Sequence, residues 1–217
     1  DKAKYSGYTC FRGVLEKDEI DIDSGVIYHI SGDGSQFGSL DVGDGKLAWY
    51  ATANQPQGEK YDPEERKNMV SRRISGWWRL VSDMVDKTPA HEILQNDISD
   101  RRPAVKWFSE RVLLMGDAAH PTTPNLGQGA CQAIEDVEVL VDCLQQESSL
   151  EDLFRSFFKK RYRRTRLIID SSRLSGWLNQ REDKISQLVR DSLVKHSFRN
   201  GRSASLDRII CHKNGPL

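Results

Sequence analysis

The stretch Arg111-Val-Leu-Leu-Met-Gly-Asp-Ala-Ala-His-Pro-Thr-Thr-Pro-Asn-Leu-Gly-Gln-Gly-Ala130 decides how this chain is read. Val112 to Met115 form a short continuous apolar run of the kind found in strands covered on both faces. The run ends at Gly116-Asp117, and a carboxylate there can accept hydrogen bonds from ligand hydroxyls lying against the small Ala118 and Ala119. Pro124 fixes chain direction, while Gly127 and Gly129 permit backbone angles and close approaches that side chains forbid. From Ala130, residues Ala133, Ile134, Val137, Leu140, Val141 and Leu144 recur at spacings of three and four. That periodicity predicts an amphipathic helix with these residues on its buried face. The loop then sits on the helix N-terminus, where free N–H groups and roughly half a positive charge stabilise a partly buried anion by up to ~2 kcal/mol.

Around this stretch, Val26 to Ile30, Gln36 to Leu40 and Lys46 to Ala53 are strand-like runs, and Asp41 to Gly45 reads as a hairpin connection. Gly32-Asp-Gly34 lies between two of these runs and reads as a turn. Pro63 opens a helix whose first turn carries Glu64 and Glu65; the apolar pattern from Met69 through Trp77 to Met84 predicts one helix that Pro89 halts. Trp77 and Trp78 on such a helix point about 100° apart. Ile93 to Ile98 and Ala104 to Phe108 read as strand or loop segments. Ser149 offers a cap for a long helix from about Leu150 to Leu178, with a break expected near Ser171-Ser172, and Gly201 to Leu217 reads as a frayed tail.

Lysine plus arginine balances aspartate plus glutamate, 32 against 32 in 217 residues, so no overall field recruits nucleic acid or an anionic membrane. Cys10, Cys131, Cys143 and Cys211 form no CxxC pair, which points to reduced thiols in a cytoplasm-like compartment. No run approaches membrane-spanning length, no His/Cys/Asp set has metal spacing, and no GxSxG elbow is present. Arg155, Lys159, Lys160, Arg161, Arg163, Arg164 and Arg166 crowd one helix; the readings are a solvated face or an RNA or lipid contact.

The run Gly116-Asp117-Ala118-Ala119-His120, continued by Pro124-Asn125-Leu126-Gly127-Gln128-Gly129, resembles the second FAD motif of the FAD-dependent aromatic hydroxylases, the flavin monooxygenases that include salicylate hydroxylase and, more distantly, zeaxanthin epoxidase. Tyr5 to Gly13, Asp100 to Pro103 with Trp107, Phe157 to Arg164 and Ser172 to Gly176 are similar to the family's flanking segments, with Phe158 where the family commonly has an acid. The resemblance fades after Gln180.

The resemblance implies an α/β (α+β) chain: part of a Rossmann-like FAD-binding domain plus an antiparallel-sheet substrate domain, without the N-terminal GxGxxG unit that binds the ADP half of FAD. Residues 1–108 are then mainly substrate domain, 109–180 the C-terminal part of the FAD-binding domain, and 181–217 a helical extension and tail. The ADP-binding half is expected elsewhere, in cis or as a separate chain. Asp117 is implied to bind the ribityl chain, Pro124, Leu126, Gly127, Gln128 and Gly129 to run beside the isoalloxazine ring, and Gly116, Ala118 and His120 are further FAD-binding candidates. Arg12 is a further candidate near flavin or substrate. Taken alone, Asp117 could cap a turn, His120 could hydrogen-bond the loop, and Arg12 could form a surface ion pair. The implied chemistry is monooxygenation: NAD(P)H reduces FAD, O2 adds, and the flavin hydroperoxide passes one oxygen to a small organic substrate, aromatic by preference. Carotenoid-type epoxidation and a non-catalytic remnant are the alternatives.

Overall fold

A computed structural model describes residues 2–23 and 25–199. The tail expected over Gly201 to Leu217 lies outside the described residues. The chain is a mixed α/β molecule that divides into two compact units. The first comprises Tyr5–Ile98 with Asn179–Gln187; the second is built mainly from Ser99–Leu178.

In the first unit, β1 (Lys4–Glu16), β2 (Tyr28–Ser31), β3 (Gln36–Gly43), β4 (Lys46–Asn54) and β5 (Leu94–Asp100) form one sheet in the order β2-β3-β4-β1-β5. The β1/β4, β2/β3 and β3/β4 pairs are antiparallel, and β3 and β4 are joined at Asp44-Gly45, both in the left-handed region. Period-two alternation buries Phe11 and Leu15 of β1 and Leu47, Trp49 and Ala51 of β4 on one face. That face packs on α1 (Pro63–Arg73) and α2 (Arg79–Lys87) through Val70, Ile74, Val81, Met84 and Val85.

The start of α1 is as expected: Pro63 occupies the first turn, and the Asp62 carboxylate accepts from the Glu65 N–H at 2.9 Å. The single helix expected from Pro63 to Met84 is two. Gly76, at φ 79°, turns the chain between them, and Trp78 stands at the N-terminus of α2, half exposed.

Two glycines let aromatic rings lie across neighbouring strands. On the core face, Trp49 lies over Gly13, its pairing partner on β1. The indole stacks on Phe37 with ring centroids 5.7 Å apart and donates to Thr88 Oγ1 at 2.8 Å. On the opposite face, Tyr50 lies over Gly38 of β3. Glycines covered in this way lose the weakness they otherwise bring to a strand.

In the second unit, β6 (Phe108–Ser109) and β7 (Val112–Leu113) make a short antiparallel pair. The buried strand expected from Val112 to Met115 is thus only two residues long, and Val112 is 60% exposed. It has no sheet neighbour but β6 among the described residues. Beyond it come α3 (Gly129–Gln146) and α4 (Leu150–Asn179), then α5 (Lys184–Arg199). α4 is capped by Ser149 as expected, its Oγ accepting from the Asp152 N–H at 3.1 Å, and it runs unbroken through Ser171-Ser172. Trp107, Ala119, Val139, Cys143, Leu153, Phe154 and Phe157 form the core of this unit.

Most of the expected buried face of α3 looks outward, although Leu140 packs against the core of this unit and Ala133 is partly buried. Ile134, Val137, Val141 and Leu144 are 46% to 71% exposed, and the buried residues are Gln132, Asp136, Val139 and Cys143. Hydrophobic periodicity assigns polar residues to solvent; here Gln132 and Asp136 have buried partners that overturn that assignment.

A Cβ added to Gly13 would come within 2.7 Å of the Trp49 ring, which Phe37 and Thr88 hold in place. Gly13→Ala is therefore expected to destabilise the sheet unit by about 1–3 kcal/mol. The check is a lower urea midpoint with an unchanged slope.

Candidate functional site

Gly116, at φ 53°, starts a single 3-10 turn through Asp117 and Ala118; the N–H groups of Ala119 and His120 both donate to the Gly116 carbonyl at 2.9 Å. The segment before β6 clamps this turn from outside. Arg101 donates to the Asp117 carbonyl at 3.0 Å and to that of Ala118, and the Ala104 N–H donates to the Ala119 carbonyl at 2.9 Å. With its backbone held, Asp117 leaves its side chain exposed.

The rest of the loop is fixed to α4. Ser172 Oγ donates to the Thr123 carbonyl at 2.7 Å and lies 2.9 Å from Thr123 Oγ1, which also accepts from the Asn125 amide at 3.0 Å. Asn125 fits because residue 176 is glycine: a Cβ there would lie 2.5 Å from the Asn125 amide nitrogen. Pro124 to Leu126 form a second 3-10 turn that ends at Gly127 in the left-handed region, at φ 62°. No atom lies within 4 Å of where a Cβ would sit on Gly127. The glycine therefore serves the turn, and its outer side is open space.

A cavity of about 560 Å³ is lined by Asp117, Thr122, Thr123, Pro124, Gly127, Gly129, Ala130 and Ala133. The N-terminus of α3 opens beside it at Gly129 with no side-chain cap and no acidic residue in the first turn. Unsatisfied N–H groups and the positive end of the helix dipole are thus available to an anionic edge, with a carboxylate acceptor on the same cavity wall. Of the residues singled out in the sequence, Asp117, Pro124, Gly127 and Gly129 line this cavity. Gly116, Ala118, Leu126 and Gln128 belong to the same loop but do not line it.

His120 points elsewhere. Its ring is buried, with Nε2 2.7 Å from Asp136 Oδ2 and the Trp107 ring at a centroid distance of 5.1 Å. The same Asp136 oxygen accepts the Gly116 N–H at 2.8 Å, and Oδ1 accepts from Arg161 Nε at 2.7 Å. Arg161 also donates to Glu135 at 2.6 Å and to the Gln132 carbonyl and side-chain oxygen at 3.0 and 2.9 Å; Arg164 donates to Glu135 at 3.0 Å. His120 is thus a loop anchor. Arg161 and Arg164, read from sequence as members of a solvated or anion-binding face, are buried in ion pairs. The signal available was the placement of Gln132, Glu135 and Asp136 on one face of α3 and of Arg161 and Arg164 three apart on α4.

Burial opposes ionisation of Asp136, but hydrogen bonds from His120, the Gly116 N–H and Arg161 outweigh it and hold the carboxyl below its ordinary value. Burial likewise opposes the charge on Glu135, and the two arginines again win.

Arg12 lies in the sheet unit, mid-strand on β1. It is exposed and donates to Asn96 Oδ1 at 2.6 Å. Among the described residues, no group of three or more His, Cys, Asp or Glu is placed to hold a metal ion. No helix there is long and apolar enough to cross a membrane.

Residues 16–172 match the family model described as FAD binding domain. The chain belongs to this family of FAD-binding flavin monooxygenases. It is 37% identical over 196 residues to aurachin C monooxygenase/isomerase of Stigmatella aurantiaca, covering 88% of this chain and 50% of that protein. It is 42% identical over 135 residues to the chloroplastic zeaxanthin epoxidase of Solanum lycopersicum, covering 62% and 20%. Klebsiella pneumoniae HpxO, crystallised with FAD and uric acid, superposes on 99% of this chain and 55% of its own with a TM-score of 0.84 at 25% identity. A salicylate hydroxylase substrate complex shares the fold, with a TM-score of 0.71 at 16% identity. The chain therefore spans half or less of the length of these curated relatives.

The folded-state values of Asp136 and Glu135 lie below the ordinary 3.8 and 4.5, so the stabilisation they supply is complete above those values and drains as pH falls through the lower folded values. Circular dichroism melts are expected to show an acid limb beginning below about pH 4.5. Asp136→Asn should flatten that limb and lower neutral-pH stability by about 1–3 kcal/mol, because it removes the charge that His120 and Arg161 Nε face while Glu135 and Gln132 still partner the guanidinium.

Proposed function

We propose that this chain carries the flavin-ring part of an FAD-dependent monooxygenase. The observation that carries this reading is the Asp117 carboxylate sharing one cavity with the uncapped N-terminus of α3. Asp117 would accept hydrogen bonds from the hydroxyls of the ribityl chain. The first-turn N–H groups of α3 would face the ring edge that becomes electron-rich on reduction. Gly127, with open space beside it, lets the backbone approach a planar ring, and Pro124 sets the direction of that approach. Gly116, Ala118, Leu126 and Gln128 would shape the loop behind these contacts, and His120 would hold it.

When bound, FAD would supply the redox chemistry, taking a hydride from NAD(P)H and activating O2 for insertion of one oxygen atom into the substrate. The antiparallel sheet would belong to the substrate domain. A small aromatic or heterocyclic compound is the preferred substrate, supported by the fold shared with the uric acid and salicylate hydroxylase complexes.

The ADP half of FAD would require a further segment, in the same polypeptide or a second one. The outward apolar stripe of α3, Ile134, Val137, Val141 and Leu144, is the surface offered to it. The free buried thiols Cys10 and Cys143 favour a reducing compartment, the cytoplasm or, as for the zeaxanthin epoxidase, a chloroplast.

The test uses the protein together with its ADP-binding half. It is expected to purify yellow and to oxidise NAD(P)H, and Asp117→Ala should weaken FAD retention by about tenfold, the cost of lost hydrogen bonds to a charged acceptor. A colourless, inert preparation would sink the reading in favour of a non-catalytic remnant.

A further inference from the structure

The basic run of α4 divides between two sides of the helix. Arg161 and Arg164 turn inward to Glu135 and Asp136, whereas Arg155, Lys159 and Arg163 recur every four residues along an exposed row. Phe158 and Tyr162 run beside that row, half-buried, with ring centroids 5.0 Å apart. Across from them lies the segment Val105 to Phe108, and the two walls enclose a cavity of about 520 Å³. That volume falls within the roughly 300–1,000 Å³ of small-molecule sites. Both walls belong to the unit built from Ser99–Leu178, and no lining residue is shared with the cavity at Asp117.

The aromatic side of the cavity is set before any ligand arrives. Trp107 is fully buried, its indole N–H donates to the Ala104 carbonyl at 2.7 Å, and its own carbonyl accepts the Leu114 N–H at 2.7 Å. Phe158 meets that indole edge-on at a centroid distance of 5.4 Å. The charge is as one-sided as the rings are fixed. Lys106, Arg155, Lys159 and Arg163 line the cavity, and no acidic residue does. Arg155 is paired with Glu151 at 2.6 Å, but the two side chains are 68% and 73% exposed, so the pair is weak and yields to a competing anion. Among the described residues, no carboxylate lies within ion-pair distance of Lys106, Lys159 or Arg163. Like charges four apart on a helix repel, and the chain as a whole balances 32 basic against 32 acidic residues. The excess is therefore local, and a multivalent anion relieves it.

The rings narrow the kind of anion. Inorganic phosphate makes no use of Phe158 and Tyr162, and a bilayer surface needs apolar groups standing proud rather than recessed in a cavity. A planar base stacks on such rings whatever its identity, while phosphate oxygens accept charge-assisted hydrogen bonds from lysine and arginine at the rim. We propose that this cavity is an accessory binding site for a nucleoside diphosphate. Phe158 and Tyr162 take the base, and Lys106, Arg155, Lys159 and Arg163 take the two phosphates. The site stands apart from the flavin reading and does not depend on it.

The test is equilibrium dialysis of ADP and UDP against the full chain after FAD loading and desalting, with adenosine and pyrophosphate as the separated halves. Saturable binding is expected, with each diphosphate held about tenfold more tightly than pyrophosphate or the nucleoside. The double variant Lys159→Gln with Arg163→Gln, at exposed positions, should weaken ADP and UDP by about tenfold. The charge-matched control Lys160→Gln with Arg166→Gln, outside the cavity, should leave both unchanged. Phe158→Leu should bring ADP down to the affinity of pyrophosphate while leaving pyrophosphate itself unaltered, a split that a loss of fold does not produce. Absence of saturable binding, or equal losses in the two double variants, overturns the proposal. So does pyrophosphate bound as tightly as ADP, which marks a general anion site. Cosedimentation with phosphatidylserine vesicles that ADP does not displace overturns it in favour of a membrane contact. Failure of the chain to retain FAD bears on the flavin reading alone, and dialysis of the flavin-free chain then decides the nucleotide site by the same criteria.

Discussion

Everything about the flavin-type loop depends on a single buried carboxylate. Asp136 receives the Gly116 N–H and His120 on one oxygen and Arg161 on the other, so one side chain of α3 fixes both sides of the loop's first turn and the neighbouring helix α4. The dry surroundings make each of these bonds stronger than it would be in water and make the loss of any partner costly. Asp117 is one residue from that anchor. Its backbone is held by Arg101 and its side chain is left exposed on the cavity wall.

The same demand explains why α3 is turned as it is. An ordinary amphipathic helix would bury Ile134, Val137, Val141 and Leu144, but burying the Asp136 face requires those residues to look outward. The ion pairs with Arg161 and Arg164 override hydropathy, because charges with complete partners are removed from solvent without being left bare.

Much of the loop was legible because its chemistry is local. Gly116-Asp117, Pro124 and Gly127 announce turns and an acceptor at fixed spacing, and the structure places Asp117, Pro124, Gly127 and Gly129 on one cavity. The sheet was legible as well, since period-two alternation in Lys46 to Asn54 and the Asp44-Gly45 turn are short-range signals. What escaped depends on pairings distant in sequence. Arg161 meets Asp136, 25 residues earlier, and the matching polar faces of α3 and α4 indicate that pairing only once the two helices are known to pack, so a crowded basic helix reads as solvated. The break at Gly76 was hidden by an apolar pattern that continues across it. That Tyr50 lies over Gly38 needs the register of β3 on β4 before it can be seen.

The Asn125 side chain occupying the gap above Gly176, together with the Thr123 to Ser172 bonds and the Asp136 anchor, ties residues 116–129 to two helices at three separate points. Chimeras between relatives would therefore have to exchange this segment as a cassette. A donor loop transplanted without matching residues at 136, 161, 172 and 176 would arrive without the sockets it was shaped for, and laboratory recombination should find its viable crossovers outside this block.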